Sequence, residues 1–137
     1  MHINIFLDDY RIPDQAYVYT KNSVYLNKKW TVVKNYKEFV NLLESLEKND
    51  TIGSVSFDHD LSDEHYKLPQ ELFNGNSSEA LGVEKTGLDC AKYFTEFINK
   101  TNRHIPGILV HSMNPVGAEN IRNHIMDWMD TLGGKDS

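Results

Sequence analysis

Ile52-Gly53-Ser54-Val55-Ser56-Phe57-Asp58-His59-Asp60 is the stretch on which the fold turns. Its apolar and small polar residues alternate, the period of two that lays one face of a strand on a core. The run then breaks into an Asp-His-Asp cluster. Ile3-Asn4-Ile5-Phe6-Leu7 likewise runs into Asp8-Asp9, and Ile108-Leu109-Val110, after Pro106-Gly107, runs into His111-Ser112. Trp30-Thr31-Val32-Val33 is β-branched and aromatic. Short length and turn-rich flanks favour strands over buried helix for all of these runs.

Helical patterns fall between them. Tyr36 to Lys48 carries Phe39, Val40, Leu42, Leu43 and Leu46 on one face, with Asn35 as cap and Glu38 in the capping-box position. Gly87 to Asn99 turns Leu88, Ala91, Phe94 and Ile98 inward behind a Thr86 cap. A third helix opens at Asn114-Pro115, buries Val116, Ile121, Ile125, Trp128 and Leu132, and is expected to stop at Gly133-Gly134, leaving Lys135-Asp136-Ser137 to fray. Strand alternating with helix predicts an α/β fold on a parallel sheet, here of four main strands. Two segments break the rhythm. Arg11 to Lys29 is aromatic and polar and reads as a loop or hairpin, and 62–85, with Asn74-Gly75-Asn76-Ser77-Ser78, reads as a lid or mobile loop.

The 137 residues form one domain, 1–137, and carry a single cysteine, Cys90, read as a buried small hydrophobe. No run approaches a membrane span, and Met1-His2-Ile3-Asn4-Ile5-Phe6 has none of the regions of a signal peptide, so a cytoplasmic protein is expected. A net charge of −6 argues against duplex nucleic acid as a partner. It leaves room for a small phosphorylated ligand.

In parallel α/β sheets, ligands bind outside the carboxyl ends of the strands where strand order reverses. With the order 2-1-3-4, the clusters Asp8-Asp9, Asp58-His59-Asp60 and His111-Ser112 converge on one crevice. Asp8, Asp9 and Asp58, with Asp60 beside them, repel one another unless protonated or neutralised. A divalent cation such as Mg²⁺ or Mn²⁺ is the simplest neutraliser; the alternative is that each is a capping or turn aspartate. His59 and His111 read either as general acid and base for phosphoester cleavage or as ligands of a softer metal. Arg11 can fork onto a phosphate or pair with Asp8 or Asp9. Asn114 and Thr86-Gly87 open helices whose N–H groups suit an anion. Asp58-His59-Asp60 also has the spacing of the Asp-x-Asp nucleophile motif of haloacid-dehalogenase-like phosphatases.

Phe6-Leu7-Asp8-Asp9 with Arg11 and Pro13, Ser56-Phe57-Asp58-His59-Asp60-Leu61, Lys85-Thr86-Gly87, and Val110-His111-Ser112-Met113-Asn114-Pro115-Val116-Gly117-Ala118-Glu119-Asn120 together resemble the cyclic-phosphate-processing receiver domains of bacteria and phages. The resemblance spans residues 3 to about 130. It implies a receiver-like (flavodoxin-like) three-layer sandwich, with Asp8 and Asp9 at the cation-binding positions, Asp58 at the phospho-acceptor position and Ser112 near the strand-four hydroxyl. It implies a small phosphorylated molecule or cyclic nucleotide as partner, and a host cytoplasm if the chain is phage-encoded. Signalling receivers add a fifth strand ending in a lysine. None is legible after the last helix, which points away from aspartyl phosphorylation. The leading expectation is a cyclic phosphodiesterase with Asp58, His59 and His111 catalytic and Arg11, Ser112, Asn114, Thr86 and Gly87 on the phosphate. A non-catalytic binding or docking module is the alternative.

Overall fold

A computed structural model describes residues 1–61 and 85–135. The chain runs β1 (His2–Leu7), α1 (Pro13–Thr20), α2 (Val24–Asn27), β2 (Thr31–Val33), α3 (Tyr36–Glu44), β3 (Thr51–Phe57), α4 (Gly87–Thr101), β4 (Gly107–Val110) and α5 (Pro115–Lys135). All strand pairs are parallel and the sheet order is β2-β1-β3-β4, as the receiver-like reading expects. The segment 62–85, expected as a lid, lies outside the described residues apart from Lys85. So do Asp136 and Ser137 of the expected frayed tail. Among the described residues no helix is long and apolar enough to cross a membrane.

Alternation along the strands sorts their side chains between two helical layers. Ile3, Ile5 and Leu7 of β1 and Val55 and Phe57 of β3 pack with Phe39 and Leu43 of α3, Phe94 of α4, and Ile121 and Trp128 of α5. Phe6 faces the opposite way, onto Ala16 of α1 and Tyr25 of α2, with Trp30, Val32 and Leu109 around it. Ser56 has the parity of this second face. The sandwich therefore has a large apolar layer under α3, α4 and α5 and a smaller aromatic layer under α1 and α2.

Three expectations need correction. Arg11–Lys29 is neither loop nor hairpin but carries α1 and α2. Pro13 sits at the first helical position with Asp14 in the first turn. The Gln15 side chain accepts the Ile12 N–H at 2.9 Å. Only Ala16 of α1 is fully buried, so the helix has too little apolar period to be read as one. Helix α3 closes four residues short of Lys48, at Glu44. There the Ser45 hydroxyl bonds the Leu42 carbonyl at 2.6 Å. Gly133 and Gly134 do not stop α5, which continues to Lys135; glycine weakens a helix interior by about 1 kcal/mol without ending it.

Helix α4 is pressed onto the end of β3. Thr86 and Asp89 form a capping box, the Asp89 carboxylate taking the Thr86 N–H at 2.8 Å. The Gly87 N–H donates to the His59 carbonyl at 2.8 Å. A Cβ on Gly87 would lie 1.6 Å from the Asp58 carbonyl oxygen. Gly87→Ala is therefore expected to push α4 off the strand end and lower unfolding free energy by at least about 1–3 kcal/mol. Urea denaturation measures it, and a loss below about 0.5 kcal/mol would contradict so close an approach.

Candidate functional site

Strand register builds the site. Leu7 pairs with Phe57, and Phe57 with Val110. The next residue of each strand is Asp8, Asp58 and His111, so these stand in a row across three neighbouring strands. Backbone bonds tie the row: Asp8 N–H to Val33 at 3.0 Å, Asp58 N–H to Leu7 at 3.1 Å, His111 N–H to Phe57 at 3.0 Å. The three side chains are buried, and one ligand atom from each lies within 4.8 Å of the others.

The two carboxyl groups have opposite surroundings. Asp8 Oδ1 accepts the backbone N–H groups of Tyr10 at 2.9 Å and Arg11 at 2.8 Å. Its Oδ2 faces His111 Nε2 at 3.1 Å and Arg11 Nη1 at 3.7 Å. Burial alone would raise the Asp8 pKa, but the hydrogen bonds from His111, Arg11 and Tyr10 outweigh it and hold it below the ordinary value. Among the described residues Asp58 Oδ1 accepts only the neighbouring His59 N–H, at 2.9 Å. Asp58 Oδ2 is buried with no hydrogen-bond partner among the described residues. Burial, and after it the Asp8 charge, push the Asp58 carboxyl up to about 8. One acid is held ionised and its neighbour is held protonated.

His111 is neutral for a related reason: burial lowers its pKa and prevails over the Asp8 hydrogen bond and charge. Its ring stacks on Phe6 at 4.2 Å, and its Nδ1 is 2.7 Å from Ser56 Oγ. Ser56 Oγ in turn lies 2.8 Å from the Tyr25 hydroxyl. The Tyr19 hydroxyl donates to the His111 carbonyl at 2.5 Å.

His59 belongs to a second group. Its Nδ1 is 3.1 Å from Asp60 Oδ1, and Asn114 Nδ2 donates to Asp60 at 3.2 Å. Asn114 also caps α5, its Oδ1 taking the Gly117 N–H at 3.1 Å. A Cβ on Gly117 would sit 2.4 Å from the His59 ring, so this glycine makes the ring's seat.

The row thus unites Asp8, Asp58 and His111. Arg11 reaches it from the β1–α1 loop, held over the Tyr19 ring at 5.7 Å and 3.3 Å from Met113 Sδ. Asp9 is half-buried beside the row and outside the three-residue group. Asp60 turns to His59 and Asn114, whereas Asp58 groups with Asp8 and His111. Asp58 also ends β3 and not β1. Ser112 Oγ accepts the Asn114 N–H at 3.1 Å. Thr86 and Gly87 serve the cap and close packing of α4. Tyr19, Tyr25, Ser56 and Gly117 were given no site role in the sequence expectation; no acidic or imidazole signal marks them.

The donor chemistry fits a hard divalent cation. Two carboxylates on adjacent strands, one with a buried oxygen lacking a partner, are the oxygen ligands Mg²⁺ and Mn²⁺ take. Asp8 and Asp58 would hold the ion.

The pH dependence of stability isolates Asp58. Its native pKa lies above its unfolded value of 3.8, so the native state binds the extra proton and loses stability as pH rises toward 8. His111 and His124, whose pKa values are lowered, act oppositely, but only below their ordinary value of 6.5. Asp8 contributes stability that is lost only as pH falls below the carboxylate range. Metal-free protein is therefore expected to lose about 1–2 kcal/mol between pH 6.5 and 8. Asp58→Asn or added Mg²⁺ is expected to abolish that loss in urea titrations. A slope unchanged in Asp58→Asn would refute the assignment.

Comparison with known proteins agrees with this architecture. A family model described as "Cyclic-phosphate processing Receiver domain" matches residues 3–127. No curated protein and no solved structure matches the chain. With a match over nearly its whole length and a parallel sheet in receiver order, the chain belongs to the cyclic-phosphate processing receiver domains.

Proposed function

We propose that this chain is a phosphoesterase that opens a cyclic phosphate, with a cyclic nucleotide as substrate class, at the row of Asp8, Asp58 and His111. The observation carrying the proposal is the convergence of buried Asp8, Asp58 and His111 ligand atoms on one point, with the His59 imidazole held separately by Asp60. Carboxylates able to take a cation, beside an imidazole, supply the two needs of phosphoester cleavage: positive charge against the phosphate and a carrier for the proton. Asp8 and Asp58 hold a divalent cation, which when bound supplies positive charge against the phosphate. Arg11 binds a phosphate oxygen, and the Ser112 hydroxyl donates to another.

Asp60 holds the His59 ring through Nδ1 at 3.1 Å, and the proton transfer is assigned to the buried Nε2 of that ring. In this reading His59 Nε2 takes a proton from water as the water oxygen forms a bond to phosphorus. One ring P–O bond breaks, and the proton passes to the departing oxygen, leaving a phosphomonoester. His111, expected to share the proton transfers, has both nitrogens engaged and acts by holding Asp8. Tyr10, exposed on the loop after Asp8, and Met113, exposed beside Arg11, offer apolar surface to a base.

A binding module without catalysis is the second reading, favoured by the burial of both imidazoles, each 1% exposed. Purified protein with Mg²⁺ or Mn²⁺ and a panel of cyclic mono-, di- and oligonucleotides separates the two. The phosphoesterase reading expects a phosphomonoester product and a drop of about 10²–10⁴-fold in His59→Ala. Tight calorimetric binding with no product selects the module. Tyr10→Ala is expected to raise KM for the nucleotide several-fold with kcat nearly kept, the pattern of lost uniform binding. An unchanged KM removes Tyr10 from the base site.

A further inference from the structure

Ser56 and Tyr25 touch no atom of the proposed reaction, yet both are buried and both lead to His111. A buried hydroxyl is costly unless hydrogen-bonded. β3 places one between Val55 and Phe57, on the face opposite theirs, where α2 brings the Tyr25 phenol to meet it.

The hydrogens of this chain can be assigned from its acidic end. Asp8 already serves as acceptor for the Tyr10 and Arg11 N–H groups, and His111 Nε2 lies 3.1 Å from its other oxygen as the donor of that pair. With the ring hydrogen on Nε2, Nδ1 offers a lone pair, and Ser56 donates to it at 2.7 Å. The Ser56 oxygen takes the phenol hydrogen of Tyr25 at 2.8 Å. Every O–H and N–H in the series points the same way, toward Asp8, and bonds aligned like this polarise one another. The ring plane is held as well, by Phe6 stacked at 4.2 Å and Tyr25 edge-on at 6.1 Å and 77°.

We infer that Tyr25 and Ser56 are positioning residues: they fix the hydrogen of His111 on Nε2 and through that ring aim the Asp8 carboxylate. With Oδ1 taken by two backbone N–H groups and Oδ2 by His111, the carboxylate plane is set from both ends. What Oδ2 still offers is left for a cation. The inference rests on the reading of Asp8 as a working carboxylate. Hydrogen-bond partners of metal-binding carboxylates set the geometry of the site from outside its inner sphere.

The test uses the full chain and two variants. Ser56→Ala/Tyr25→Phe removes both hydroxyls together, so neither is left buried and unpaired, while Tyr25→Phe removes one oxygen and keeps the ring. In nitrogen-15 spectra of the metal-free protein, His111 is expected to carry its hydrogen on Nε2, and the double variant to show a mixture of tautomers. Calorimetry with Mn²⁺ alone is expected to give an affinity weakened about 10- to 100-fold in the double variant. Tyr25→Phe is expected to move both readouts in the same direction, and carries the test by itself if the double variant does not fold. A wild-type hydrogen on Nδ1 overturns the inference. So does a variant that keeps one Nε2–H tautomer and wild-type Mn²⁺ affinity. Neither readout uses a cyclic nucleotide. A relay confirmed in a protein that turns none over would sink the phosphoesterase reading and leave this inference standing.

Discussion

Two carboxyl groups set side by side out of water are the constraint to which the rest of this molecule answers. Parallel register makes the adjacency unavoidable: once Leu7 pairs with Phe57, Asp8 and Asp58 must follow on neighbouring strands. Two adjacent buried charges would repel strongly, so the fold treats the two acids differently. Asp8 receives two backbone N–H groups, an imidazole and, farther off, a guanidinium. Among the described residues Asp58 receives a single N–H, from its own neighbour, and keeps a proton. The donors could have been shared evenly. Their concentration on Asp8 is what makes the pair asymmetric.

That asymmetry explains why the small layer under α1 and α2 is aromatic and hydroxylic while the large layer is aliphatic and phenyl. The large layer supplies the bulk of the apolar burial, through Phe39, Phe57, Phe94 and their neighbours. The small layer has to seat a neutral imidazole behind Asp8. Phe6 gives it a face to stack on, Tyr19 takes its carbonyl, and Ser56 with Tyr25 completes its hydrogen bonding. On the other side of the row, Asp60, Asn114 and Gly117 do a similar service for His59. The two histidines expected to act as a pair are therefore supported by separate shells.

What was legible in the sequence follows the same division. Strands and their charged ends could be read because apolar runs ending in charged residues are strong local signals; the order 2-1-3-4, and with it the convergence of Asp8, Asp58 and His111, was taken from the common arrangement of such sheets. Helices α3, α4 and α5 were readable through their apolar faces and caps. Helix α1 was missed because a helix that buries little beyond Ala16 has no apolar period, although Pro13-Asp14 announced its start. Ser56 was invisible for a different reason. Within a strand, a small polar residue normally marks a solvent-facing position, and only the arrival of Tyr25 and His111 from distant segments makes it a buried link. The hydrogen bonds of Asp60 to His59 and Asn114 could not be read because adjacency in sequence to Asp58 says nothing about the direction in which its side chain turns.

The protonated state of Asp58 also bears on what a receiver sheet can do at this position without an ion. A phospho-acceptor aspartate must offer an ionised oxygen as nucleophile, and a carboxyl held at about 8 offers little of it near neutrality. In the metal-free protein Asp58 is thus neither nucleophile nor base. Positive charge beside Oδ2 would reverse this, since it removes the repulsion from Asp8 and compensates burial. Binding of an ion there would be linked to ionisation of Asp58, with a proton released as the ion entered. The strand ends bring two aspartates together out of water, and the uneven treatment of the two decides which of them is charged.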